Sequence, residues 1–155
     1  MSFHIRALPA GLFSDLPGLS EADLAAHLVQ RQTVDSCPGY PCRVSLEDAR
    51  IGETVYLLHF THQPAATPFR ASHAIFVREH AVTANLPLGE VPEMIRNRMI
   101  SLRAFNADGM LVNADVASGE AVATQIVAFF QDPLTDYIHL HFAKQGCFAA
   151  RVERA

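Results

Sequence analysis

The sequence predicts an α+β fold: a mixed, mostly antiparallel sheet with two main helices packed on one face, ending in a C-terminal β-hairpin. Three observations predict it. Residues 54–61, TVYLLHFT, are rich in β-branched and aromatic residues and apolar on both faces, as a central strand is. Residues 137–153 form two alternating runs around Lys144-Gln145-Gly146. Two segments, 21–31 and 119–131, carry apolar residues at helical spacing. At 155 residues, half of them hydrophobic and 18% charged, the chain suits a single domain over 1–155 with a sizeable core.

Taken in order, residues 4–8 predict a first strand, ended by Pro9. Ser20 is placed as an N-cap with Asp23 three positions on, opening the helix 21–31, whose Leu24 and Leu28 form the apolar stripe. Residues 35–40 are a loop and 42–46 a short strand. After the strand 54–61, the Pro-containing stretch 63–72 is a loop and 73–78 a strand. Pro92 opens a short helix to Arg98, 99–105 is a strand, and Asn106-Ala-Asp-Gly109 is a turn. In the helix 119–131, Val122, Ile126, Phe129 and Phe130 supply the buried side, and Asp132-Pro133 stops it.

The C-terminal hairpin carries the most information. A three-residue loop closed by Gly146 predicts the pairs Ala143–Cys147, His141–Ala149, His139–Arg151 and Tyr137–Glu153. Alternation then assigns Ile138, Leu140, Phe142, Phe148, Ala150 and Val152 to an apolar face. Tyr137, His139, His141, Cys147, Arg151 and Glu153 share the other. A solvated face normally carries Lys, Glu and Thr; imidazoles, a thiol and an arginine suit the floor of a ligand site.

Net charge is −4 and the pI is near 6.0, which argues against non-specific binding to a nucleic-acid backbone. No run reaches the length of a membrane span. The N-terminal stretch, broken by Pro9, Gly11 and Asp15, lacks a signal-peptide core, so a cytoplasmic location is expected. The three cysteines, Cys37, Cys42 and Cys147, do not make a disulfide framework, and in a reducing compartment they are thiols.

Three chemistries compete for the hairpin face. His139-x-His141 points two imidazoles the same way and can chelate an ion, with the third ligand left open among Cys147, Cys42, His59, His62, His73 and a carboxylate. Arg43, Arg70, Arg103 and Arg151 sit in or beside strands; two converging on that face would hold a carboxylate or phosphate bidentately. The loop Pro68–His73 would lie above it, offering Arg70, Ser72 and His73 as donors. Cys147 beside His141 would be a nucleophile, although a buried thiol is more often packing.

PGYPCRVSLEDA (38–49), TPFRASHAIFVRE (67–79), ISLRAFNADG (100–109) and IHLHFAKQGCFAARVER (138–154) together resemble a bacterial family, domain of unknown function 1203. The resemblance extends over nearly the whole chain. It marks Pro38, Gly39, Pro41, Cys42, Arg43, Arg70, Gly146 and Cys147 as family-like and leaves Cys37 outside the motif. The family has no established activity, so the resemblance implies no catalytic residue. The Pro38–Pro41 turn reads as a rigid device presenting Cys42 and Arg43.

The expectation is a small domain binding an anionic molecule between the hairpin and the 67–73 loop, through Arg43, Arg70, Ser72, His73, His139, His141 and Arg151. Cys42 and Cys147 are its candidate reactive thiols. No cofactor is expected; a transition metal on His139 and His141 is the lesser alternative. The competing classes are an enzyme using histidine, cysteine or metal chemistry on the same face, and a structural or interaction module. Nucleic acid and membrane are not expected partners, and exposed sheet edges would allow a homodimer.

Overall fold

The computed structural model describes residues 2–155. In chain order the elements are β1 (Phe3–Arg6), α1 (Glu21–Ala26), β2 (Val29–Thr33), β3 (Thr54–Gln63), β4 (Ala71–Arg78), α2 (Glu93–Arg96), β5 (Met99–Phe105), β6 (Leu111–Ser118), α3 (Val122–Phe129), β7 (Tyr137–Phe142) and β8 (Phe148–Arg154). The strands form two antiparallel sheets where the sequence suggested one. Five strands run in the order β1-β8-β7-β5-β6, and three in the order β2-β3-β4. The long apolar run at 54–61 announced a central strand but could not say of which sheet. None of the helices among the described residues is long and apolar enough to cross a membrane.

Alternation along β5, β7 and β8 gives the larger sheet a dry face. Ile100, Leu102, Ile138, Leu140 and Val152 all point to it and pack with Met94, Ile95, Val122, Ile126 and Phe129 from α2, α3 and their approach. Leu24 of α1 instead packs with Tyr56, Leu58, Ile75 and Val77 of the smaller sheet. The helices are therefore short and divided between two cores, not paired on one face.

Ser20 caps α1 as expected, its hydroxyl accepting from Asp23 N at 3.1 Å. The helix ends at Ala26 because Leu28 turns left-handed (φ 58°) and the chain reverses into β2, which takes residues 29–31 from the expected helix. Residues 42–46 make no strand; Cys42 forms an isolated bridge with Phe76, and Pro41 and Asp48 on either side form another. Cys37, Cys42 and Cys147 are all free thiols.

Besides β2, the strand β6 has no counterpart in the sequence reading. It is an exposed edge whose Asn113 and Asp115 side chains accept from the next backbone N–H, residues that strands usually avoid. The hairpin also departs from its expected register. Tyr137–Glu153 and His139–Arg151 pair as read, but a bulge follows Leu140, so His141 pairs with Phe148. The loop holds four residues, with Phe142 N donating to Cys147 O. Beyond the bulge the parity flips: Phe148 joins the histidine face, while Cys147 and Ala149 turn to the other side.

Candidate functional site

Two polar clusters lie where the sheets meet. The first is built on the Pro38–Pro41 turn. Leu8 N donates to Arg43 O, and Arg43 N to Phe76 O, so the backbone at 43 is strapped between the N-terminal segment and β4. The side chain is almost wholly buried, at 1% exposure. Its Nε donates to Phe148 O (2.7 Å), Nη1 to Pro41 O (2.5 Å) and Nη2 to Cys147 Sγ (3.1 Å). Among the described residues no carboxylate pairs with it. Burial pulls its pKa below the ordinary arginine value, against the opposing influence of Cys147.

Arg43 borders a cavity of about 270 Å³ whose walls include His73, Phe76, Arg98, Phe142 and Cys147. The Phe142 ring centroid lies 5.0 Å from the Arg43 guanidinium and 5.1 Å from that of Arg98. Only Arg98 is neutralised, by a bidentate pair with Asp48 at 2.7 and 2.9 Å. Other hollows differ in kind. The one between Ala10, Phe13, Tyr56 and Val77, about 320 Å³, has as its cation Arg78, which is paired with Glu53.

The second cluster comprises His62, His139 and His141. Alternation along β7 points both of its histidines to one face, at 2% and 1% exposure. His62 comes from the other sheet: β3 bulges between Thr61 and Gln63, lifting His62 out of the ladder. One nitrogen from each ring can be chosen so that all three lie within 4.8 Å of one another. His62 Nδ1, His139 Nδ1 and His141 Nε2 are buried without a hydrogen-bond partner. His141 Nδ1 lies 2.9 Å from Gly146 O. Burial, aided by surrounding positive groups, lowers the pKa values of His62, His139 and His141 to about 4, 2 and 3, keeping the imidazoles neutral near pH 7.

The residues singled out from sequence thus divide. Arg43, His73 and Cys147 share the cavity, and His139 and His141 share the histidine cluster. Arg70 and Ser72 are exposed and line neither. Arg151 lies over the Tyr137 ring at 3.8 Å and pairs with Glu153 at 3.1 Å. Cys42 is buried beneath the turn, where its sulfur accepts from Ser45 N and Arg78 N, a packing role. Of the six third-ligand options, among the described residues His62 alone comes within ligating distance of the β7 pair. Arg98 and Gln145 in the cavity wall had no signal in the sequence: one follows a helix, the other sits in a turn, and both look like ordinary surface residues.

Together these features define a two-sheet α+β domain with a cationic cavity and a histidine cluster at the seam between the sheets. The chain belongs to the family described as "Protein of unknown function (DUF1203)", whose profile matches residues 39–154 and so spans both clusters. Neither a curated protein nor a solved structure matches it significantly.

Proposed function

We propose that this domain binds a small anionic molecule, a carboxylate or phosphate, in the cavity beneath the hairpin loop, with Arg43 as its charge anchor. The observation that carries this reading is a buried guanidinium with no carboxylate partner. Burying an unpaired charge is costly, and two carbonyls and a thiol offset it only in part. A guanidinium has five N–H donors, and three are engaged here. An anion in the cavity would take the remaining donors and neutralise the charge. Leu57, Phe76 and Phe142 give the cavity apolar walls, while His73 and Gln145 add polar groups, the usual composition of a small-ligand site.

Calorimetric titration with inorganic phosphate and with succinate tests it. Saturable binding is expected, weakened at least several-fold by His73→Ala or Gln145→Ala and most strongly by Arg43→Met. Because Arg43 also supports the fold, the two wall variants keep the test decisive. Failure of both anions to bind at millimolar concentration refutes the reading. Cys147 on the same wall, 8% exposed, favours a second reading in which its thiol acts on the bound anion. Loss of a measured turnover in Cys147→Ser, with anion binding intact, would select that alternative.

A further inference from the structure

The three histidines have no part in the anion cavity and pose a separate question. A buried imidazole nitrogen without a partner is costly, and a pure packing role would favour apolar rings at these positions. Here each of the three clustered rings carries such a nitrogen, and the rings are brought from two sheets by a bulge. Ring centroids are 4.9 Å apart for His62–His141, 5.9 Å for His62–His139 and 6.3 Å for His139–His141. Among the described residues no hydrogen bond joins one of these rings to another.

The orientation is held from outside. His62 stacks on Phe148, with centroids 5.2 Å apart and planes within 6°. Phe105 and Tyr137 flank His139 at 5.1 and 5.2 Å. The Gly146 carbonyl can only accept a hydrogen bond, so His141 carries its proton on Nδ1 and presents the Nε2 lone pair inward. Fixing one ring nitrogen by a backbone carbonyl is how proteins orient a ligating histidine.

We propose that His62, His139 and His141 form a site for one divalent first-row transition ion, with zinc the best fit. Three neutral imidazoles without carboxylate or carbonyl donors suit zinc, cobalt, nickel or copper and not magnesium or calcium. Three protein ligands leave a further coordination position. The fixed charges acting on the cluster are Arg103 and Arg151, both basic, with the imidazole of His73 as a further neighbour. Arg103 lies opposite His139 on β5 and donates only to Ser101 Oγ, at 3.4 Å. The remaining position therefore takes an anion, hydroxide or a small oxyanion, and a neutral fourth ligand would leave the site strongly positive.

The test uses the full chain, purified without chelators, for elemental analysis, then stripped and titrated with zinc and with cobalt(II). One equivalent is expected to bind, cobalt giving a visible spectrum typical of low coordination number, and zinc raising the melting temperature. His62→Ala and His141→Ala should each lower affinity by roughly a hundredfold or more, a large share of the site's binding free energy. His139→Ala, at the sheet centre, risks the fold; His62→Gln, on the half-buried ligand, serves as the second variant, with circular dichroism as the folding control. Binding no tighter than in the His62→Ala/His141→Ala double variant, or unchanged in His62→Gln, overturns the assignment. Anion titrations in metal-free protein separate this outcome from the fate of the Arg43 cavity.

Discussion

Arg43 Nε lies 2.7 Å from the carbonyl oxygen of Phe148, so one buried cation joins the turn before β3 to the first residue of β8. Arg43→Met leaves that carbonyl and the one on Pro41 buried without their donor. A lost buried hydrogen bond to a charged group costs about 1.5–3 kcal/mol, and a second carbonyl adds to it, giving a destabilisation of about 3 kcal/mol. Urea denaturation measures it. A loss below about 1 kcal/mol would mean that water replaces the guanidinium readily and that Arg43 is not a structural tie.

The Phe148 ring is the shelf on which His62 rests, and at 2% exposure it is also core. Phe148→Ala should cost about 3–5 kcal/mol through the cavity it leaves. Phe148→Leu keeps most of the volume and should cost about 1.5 kcal/mol or less. The leucine variant is the informative one. It should retain the fold yet bind zinc measurably more weakly, because His62 loses the flat surface that fixes its plane. Equal zinc affinity in the two proteins would show that the bulge alone aims His62.

Much of this was legible, and the remainder failed for identifiable reasons. The outer hairpin pairs, Tyr137–Glu153 and His139–Arg151, followed from alternation and a glycine-closed turn. The inner pairs did not, because one more loop residue and one bulge cancel: the register is the expected one from Leu140–Ala150 outward to Tyr137–Glu153 and is shifted at His141–Phe148. A bulge has no sequence signature when small alanines provide it. The same limitation hid His62, since alternation along β3 cannot reveal a residue lifted out of its ladder. Arg43 was legible as a residue presented by a stiff turn, but its destination, a carbonyl 105 positions away, was not. Local pattern reads faces; it does not read which faces meet.

Acid should weaken the support beneath that turn. Arg78 holds Glu53 bidentately at 2.6 and 2.8 Å and also reaches Glu47 at 3.1 Å, tying residues 45–53 to β4. The hydrogen bonds from Arg78 are the main reason the Glu53 carboxyl lies below the usual carboxylate range. A carboxyl with a lowered folded pKa contributes stability that is fully present above its unfolded pKa, about 4.3, and is lost as pH falls through the folded value. The stability difference between the wild type and Glu53→Gln should therefore be largest near pH 6 and shrink as pH falls through 4 towards 3. Melting curves across that range check it; a constant difference would remove Glu53 from the acid transition.

Gly146 serves both the turn and the histidine cluster. Its φ is +79°, a left-handed conformation that costs an L-residue about 1–2 kcal/mol, and a Cβ there would meet nothing within 4 Å. Gly146→Ala should thus destabilise by about 1–2 kcal/mol through the backbone alone, with no steric contribution. If the variant keeps its left-handed turn, the carbonyl still accepts from His141 Nδ1 and zinc affinity stays near wild type. If the turn relaxes to negative φ, the carbonyl swings away, the hydrogen bond at 2.9 Å is lost, and His141 is free to change tautomer. Measuring stability and zinc affinity together distinguishes the two: a penalty of about 1–2 kcal/mol with affinity retained is the expected pair. A smaller penalty accompanied by a tenfold or greater loss of zinc affinity would show that the hairpin relaxes and that the Gly146 carbonyl is what orients His141.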